Sequence, residues 1–318
     1  MPLCKRKSAM IRSIRFYVTE QCNAKCNNCF NRNIRTKNIM SIDMFLTLCE
    51  YFSKIGVKSV KIMGGEPTTH PDFTKLMTIA QEHFERVGLF TNGINDKIME
   101  YAPRQTDTIT YNFKFSKKIH LEKLLPDYPG ARLLEVQIQA TTDVDRLKNE
   151  IYRVASMYPN VIVTLTLDCT ANIFSEKELI MPIYNNVLNF LSENHIHTKK
   201  DHKVPVCFSY GTKFPITEKG AICDINCAGL IDAEGNLKYC NQHSETLTNM
   251  FNEDGSVLQP EIMMNYLSMK FKNIQYTSLS KICKDCVFYD KYCNGGCFIS
   301  KDIISKSDIY QNTLLPIV

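Results

Sequence analysis

The chain has 318 residues, with 38 Lys plus Arg against 33 Asp plus Glu, no Trp and 14 Cys. A composition that is 44% hydrophobic and 22% charged excludes wholesale disorder, and no apolar run is long enough to span a membrane. The net charge of +5 is too small to argue for nucleic acid, and Lys5-Arg6-Lys7 has no apolar stretch behind it, so a cytoplasmic location is expected.

From residue 11 to about 210, short β-branched runs alternate with helical patterns. Strands are predicted at 11–19, 57–63, 87–91, 108–115, 133–140, 161–168 and 204–210. Ser41 N-caps a helix that Gly56 closes, Pro71-Asp72-Phe73 opens the next, and 143–157 and 176–194 carry two more. This alternation implies βα units on a mostly parallel sheet, hence an α/β fold built as a complete or partial (β/α) barrel.

Fully packed parallel strands read as near-continuous hydrophobic runs. Several strands here alternate instead. Thr108, Thr110, Asn112 and Lys114 interleave with Ile109, Tyr111, Phe113 and Phe115; Gln137 and Gln139 flank Ile138; Thr164, Thr166 and Asp168 share a face. A polar inner face suited to a polar ligand is the reading, with Arg15, Lys114 and Asp168 as lumen charges. The bland alternative is a solvated, half-exposed sheet.

After residue 211 apolar periodicity weakens, turns such as Glu234-Gly235-Asn236 appear and cysteines become dense. The chain is therefore divided into 1–210 and a small, loop-rich unit over 211–318 that depends on bound metal. Fourteen cysteines without a secretion signal are not expected to form disulfides. Cys4, Cys49, Cys169 and Cys207 stand alone and read as small buried hydrophobes.

The other ten fall into two groups. Cys22, Cys26 and Cys29 form a Cys-x3-Cys-x2-Cys loop directly after the first strand. Three thiolates on one loop, with no fourth Cys or His nearby, fit a 4Fe–4S cluster that leaves one iron open better than a closed zinc site. Gly64-Gly65-Glu66-Pro67 ends the second strand and Thr91-Asn92-Gly93 the third. With the cysteine loop, these motifs resemble the radical S-adenosylmethionine (SAM) superfamily over residues 11 to about 210. The resemblance implies a partial (β/α)6, TIM-like barrel. It implies that SAM binds the open iron through its amino and carboxylate groups, is cleaved reductively to a 5′-deoxyadenosyl radical, and so abstracts a substrate hydrogen. It assigns Gly64 and Gly65 a close backbone approach to SAM and Glu66 an acceptor for its ammonium. Thr91, Asn92, Asn112 and Gln139 become contacts to ribose and carboxylate. One departure is that Asn112-Phe113-Lys114-Phe115 replaces the Ser-x-Asp-Gly common at the fourth strand.

The second group, Cys223, Cys227, Cys240, Cys283, Cys286, Cys293 and Cys297, is similar to the SPASM/twitch extension with auxiliary 4Fe–4S clusters. The match assigns Cys223, Cys227, Cys240 and Cys297 to one cluster and Cys283, Cys286 and Cys293 to a second. The family's last Cys is missing, so the second cluster has a non-cysteine ligand (Asp302 or Asp308), an open site, or is absent and leaves one twitch-like cluster. A zinc ribbon is the alternative.

About ten residues precede the first strand, so no leader-binding domain is read there. The expected substrate is a ribosomally made peptide, brought by its own contacts or by a separate leader-binding protein, and crosslinked, converted to a thioether or oxidised. The alternative is a dehydrogenase or epimerase of small molecules or peptides, with Cys169 as hydrogen donor beside Asp168. A flavodoxin- or ferredoxin-type reductant is implied, and no nucleic-acid or membrane partner. A zinc-binding interaction protein is the remote non-enzymatic reading.

Overall fold

The computed structural model describes residues 11–26, 29, 37–113, 130–167, 176–200, 204, 208, 229–240 and 245–277. Strand β1 (Ser13–Tyr17) buries Ile14 and Phe16 on one face. Helix α1 (Ile42–Lys54) covers that face, and the rings of Phe45 and Phe52 meet Phe16 edge-on at centroid distances of 5.3 and 5.8 Å. Ser41 caps α1 by accepting the Met44 N–H, and Gly56, at φ 88°, turns the chain after it, as the sequence predicts.

Strands β2 (Ser59–Met63), β3 (Arg86–Thr91), β4 (Thr108–Phe113), β5 (Ala131–Ile138), β6 (Ile162–Leu167) and β7 (Thr198–Lys200) follow, each parallel to the one before. Helices α2 (Phe73–His83), α3 (Val144–Met157) and α4 (Lys177–Glu193) connect β2 to β3, β5 to β6 and β6 to β7. Register places Val60, Ile62, Val87, Leu89, Ile109, Tyr111, Leu134, Val136, Val163 and Leu165 on the buried helix-facing layer. The opposite layer carries Arg15, Lys61, Thr110, Asn112, Glu135, Gln137, Thr164 and Thr166. The chain therefore has the α/β architecture of a partial (β/α)6 barrel with a polar inner face.

Two features differ from the sequence reading. Strand β7 at Thr198–Lys200 is absent from that reading, and of the strand read at 204–210 only Val204 and Phe208 are described. A three-residue strand is too short to show a period of two. Among the described residues after 211, three strands and a helix were not read from the sequence. Strand β8 (Leu230–Ile231) pairs parallel with β1 and covers its outer edge, and β9 (Asn236–Lys238) and β10 (Thr246–Asn249) continue antiparallel. One ten-stranded sheet results, in the order β10-β9-β8-β1-β2-β3-β4-β5-β6-β7. Helix α5 (Pro260–Thr277) follows, burying Met263 and Leu267 while Ile262, Tyr266 and Met269 stay exposed. Apolar residues on both faces blur the helical period that sequence reading needs. No described helix is long and apolar enough to cross a membrane.

His70 fixes the segment that returns after the cysteine loop. Its Nδ1 accepts the Asp72 N–H at 3.1 Å, so the proton sits on Nε2, which donates to the Met40 carbonyl at 2.9 Å. Burial lowers its pKa from the ordinary value. The folded state thus takes up a second proton, on Nδ1, less readily than the unfolded state. The contribution is full above the unfolded value of about 6.5 and is lost as pH falls through the folded one. Denaturant stability is expected to fall more steeply between about pH 7.5 and 5.5 in the parent than in His70→Gln. Equal slopes would contradict the assignment.

Candidate active site

The site is built where the C-terminal ends of β1, β2 and β3 meet. Leaving β1, residues 18–21 lead into Cys22, and the segment leaving β2 lies directly against them. Gly65 N–H donates to the Thr19 carbonyl at 2.7 Å and Glu66 N–H to the Gln21 carbonyl at 2.8 Å. A Cβ on Gly64 would stand 2.5 Å from the Thr19 carbonyl oxygen. One on Gly65 would stand 2.3 Å from that of Gln21. Both obstacles are backbone atoms and cannot rotate away, so no larger residue fits. The glycines thus let the segment after β2 approach the chain that leads into the cysteine loop.

Glu66 is 1% exposed. Its Oε1 accepts from Thr68 N–H at 3.2 Å, Thr68 Oγ1 at 2.6 Å and Thr91 Oγ1 at 2.7 Å, and its Oε2 accepts from Asn92 N–H at 2.6 Å. Desolvation pushes its pKa up, against the pull of these hydrogen bonds. Thr91, also buried, accepts the Gly93 N–H on the same hydroxyl at 3.0 Å. Both side chains are buried, and their hydrogen bonds tie the end of β2 to the end of β3.

Asn92 carries this tie to the cysteine loop. Its Nδ2 donates to Asn23 Oδ1 at 2.8 Å and to Cys22 Sγ at 3.8 Å, while its Oδ1 accepts the Ile94 N–H at 3.0 Å. Cys22 Sγ also accepts the Ala24 N–H at 3.4 Å. Cys22, Cys26 and Cys29 are half-buried thiols and form no disulfide. Among the described residues no three His, Cys, Asp or Glu side chains converge as a metal site, these thiols included. The donor set nonetheless suits a 4Fe–4S cluster: three thiols sit on one loop, and one already takes the N–H···S bonds that stabilise cluster-bound thiolates.

The remaining positions divide. Asn112 lies on the inner face in register with Glu135, Thr164 and Lys199 on the next three strands. Gln139 directly follows β5, with its N–H on Thr142 Oγ1 at 2.9 Å. Arg15 is on the same face, in register with Lys61, whose Nζ stands 6.0 Å from the Phe90 ring centre. Sequence reading missed Lys61 and Glu135, although each alternates with buried apolar neighbours. Cys240 follows β9 and packs half-buried against the core. Cys49 is fully buried in α1, where desolvation pushes its thiol pKa up, so it is inert packing. Lys114, Asp168, Cys169, Cys223, Cys227, Cys283, Cys286, Cys293, Cys297, Asp302 and Asp308 lie outside the described residues, as do Cys4 and Cys207.

Substitutions separate the roles. Glu66→Ala orphans buried donors and is expected to lower stability by about 1–3 kcal/mol in denaturant unfolding, and Glu66→Gln by less because one acceptor oxygen remains. Gly65→Ala is expected to displace the 19–22 backbone, read as iron lost from the reconstituted protein. Full iron in Gly65→Ala would show that the close approach does not position the cysteines.

Comparison with known proteins follows the same motifs. Residues 16–136 match the model of the radical SAM superfamily. A probable GTP 3′,8-cyclase of Methanococcus maripaludis is 28% identical over 172 residues, covering 52% of this chain and 54% of that protein. One of Methanopyrus kandleri is 38% identical over 125 residues, 37% of this chain and 40% of its own. The chain thus spans about half the length of the first of these relatives, and less of the second. Among solved structures, Streptococcus suis SuiB bound to precursor peptide SuiA superposes with a TM-score of 0.67 at 15% identity, over 92% of this chain and 72% of SuiB. Native anSMEcpe with bound AdoMet and Kp18Cys peptide gives 0.63 at 15% identity, over 90% of this chain and 88% of its own. These two establish the fold, and residues 16–136 carry the similarity to the radical SAM superfamily.

Proposed function

We propose that this chain is a radical SAM enzyme that modifies a ribosomally made peptide by crosslinking, thioether formation or oxidation. The observation that carries the reading is the cysteine loop locked by hydrogen bonds to the Gly-Gly-Glu segment and to Asn92. Cys22, Cys26 and Cys29 would hold a 4Fe–4S cluster, which when bound supplies the electron that cleaves SAM into methionine and a 5′-deoxyadenosyl radical.

The chain's own residues position and shelter this chemistry. Gly64, Gly65 and Glu66 set where the loop stands. Asn112 and Gln139, near the C-terminal ends of β4 and β5, would contact SAM or substrate, as barrel enzymes arrange their sites. The row Asn112, Glu135, Thr164 and Lys199 offers both charges and hydrogen-bonding groups to a polar substrate. A SPASM/twitch unit over 211–318 would hold one or two auxiliary clusters, the first on Cys223, Cys227, Cys240 and Cys297 and the second on Cys283, Cys286 and Cys293. A flavodoxin- or ferredoxin-type protein would supply the electrons.

Peptide as substrate draws support from the solved neighbours, which hold a precursor peptide and a Kp18Cys peptide. A second reading, a small-molecule substrate, draws support from the GTP 3′,8-cyclases matched in sequence. In that reading an epimerase would use Cys169, with Asp168 beside it, as hydrogen donor.

With dithionite and SAM, the anaerobically reconstituted chain is expected to release 5′-deoxyadenosine, and Cys26→Ala to reduce this to background. Colourless protein that retains stoichiometric zinc would overturn the reading. A two-electron mass loss in a peptide product supports crosslinking or oxidation, and solvent deuterium in the product supports epimerisation.

A further inference from the structure

Asn92, at the end of β3, hydrogen-bonds within the protein through its backbone N–H and both atoms of its side-chain amide. Its backbone N–H goes to Glu66 Oε2 at 2.6 Å and its Oδ1 takes the Ile94 N–H at 3.0 Å. The two hydrogens on Nδ2 are directed to Asn23 Oδ1 at 2.8 Å and Cys22 Sγ at 3.8 Å. Each contact restricts the others. The Glu66 bond fixes the backbone of Asn92 at the end of β3, the turn to Ile94 fixes the side chain, and Asn23 sets which way the amide plane faces. What remains is one N–H aimed at a cysteine sulfur from a different strand.

We propose that Asn92 is a positioning residue for the cluster loop and a tuner of its electronics, acting through the N–H···S bond to Cys22. This rests on the reading that Cys22, Cys26 and Cys29 hold a 4Fe–4S cluster. A hydrogen bond to a ligating thiolate withdraws electron density from sulfur, stabilises the more negative reduced cluster and raises the reduction potential. Ala24 N–H donates to the same sulfur from within the loop. Asn92 is the donor that β3 supplies, so it couples cluster potential to the position of the Glu66-anchored strand end.

The test uses the full chain, reconstituted anaerobically, and compares the parent with Asn92→Ser and Asn92→Gln. Ser retains an oxygen that can accept the Ile94 N–H but cannot reach Cys22, whereas Gln retains an amide donor. Iron and sulfide are counted, and EPR-monitored redox titration follows the cluster signal that changes on adding SAM. The expected result is parental iron in Asn92→Ser with that cluster's midpoint shifted to lower potential, and partial return towards the parental value in Asn92→Gln. Loss of only the SAM-responsive signal from Asn92→Ser, at parental unfolding temperature, also supports the positioning role. Parental iron with an unchanged midpoint in Asn92→Ser would overturn the proposal. A parent that binds no SAM-responsive cluster would instead overturn the reading of the cysteine loop, which separates the two failures.

Discussion

The carboxylate of Glu66 is the point on which this site depends. It is buried, and two backbone N–H groups and two hydroxyls converge on it from the turn after β2 and from the end of β3. A buried carboxylate without such donors would cost several kcal/mol, so the four contacts are what make its position tolerable. Because its own N–H bonds to Gln21, the same residue also reaches the chain that leads into the cysteine loop. Three strand ends that are distant in sequence are therefore tied together through one residue.

This arrangement separates two sets of polar side chains. Glu66 and Thr91 face inward and are surrounded by protein, whereas Asn112, Glu135, Gln137 and Thr166 stand on the layer opposite the helices. The aliphatic layer beneath α1 to α4 gives the sheet its stability, and the opposite layer carries polar side chains on β4 to β6. The close approach at Gly64 and Gly65 belongs to the first group. It sets where the cysteines stand before any cofactor is considered.

Much of this was legible in the sequence, for identifiable reasons. Alternation in β4 to β6 reported a two-sided sheet with one polar face, and Ser41 and Gly56 marked the limits of α1. The spacing of Cys22, Cys26 and Cys29 and the Gly-Gly-Glu motif singled out two segments that the fold brings side by side. What sequence could not supply was the direction in which side chains point. Thr91 and Glu66 are polar residues at strand ends, and their type alone does not distinguish a ligand contact from a buried brace. Strands β8 to β10 were also hidden, because short strands whose pairing is set by contact with β1 carry little local pattern. Glu135 was readable in principle as the charged member of Leu134-Glu135-Val136, once register placed it beside Asn112 and Thr164.

The claim that the three strand ends form one unit through Glu66 is tested most directly by amide hydrogen exchange, comparing the parent with Glu66→Ala. The account predicts that protection falls together in residues 18–24, 64–69 and 91–94, although only the middle segment contains the substitution. Faster exchange confined to residues 64–69, with the cysteine loop and the end of β3 protected as in the parent, would contradict it.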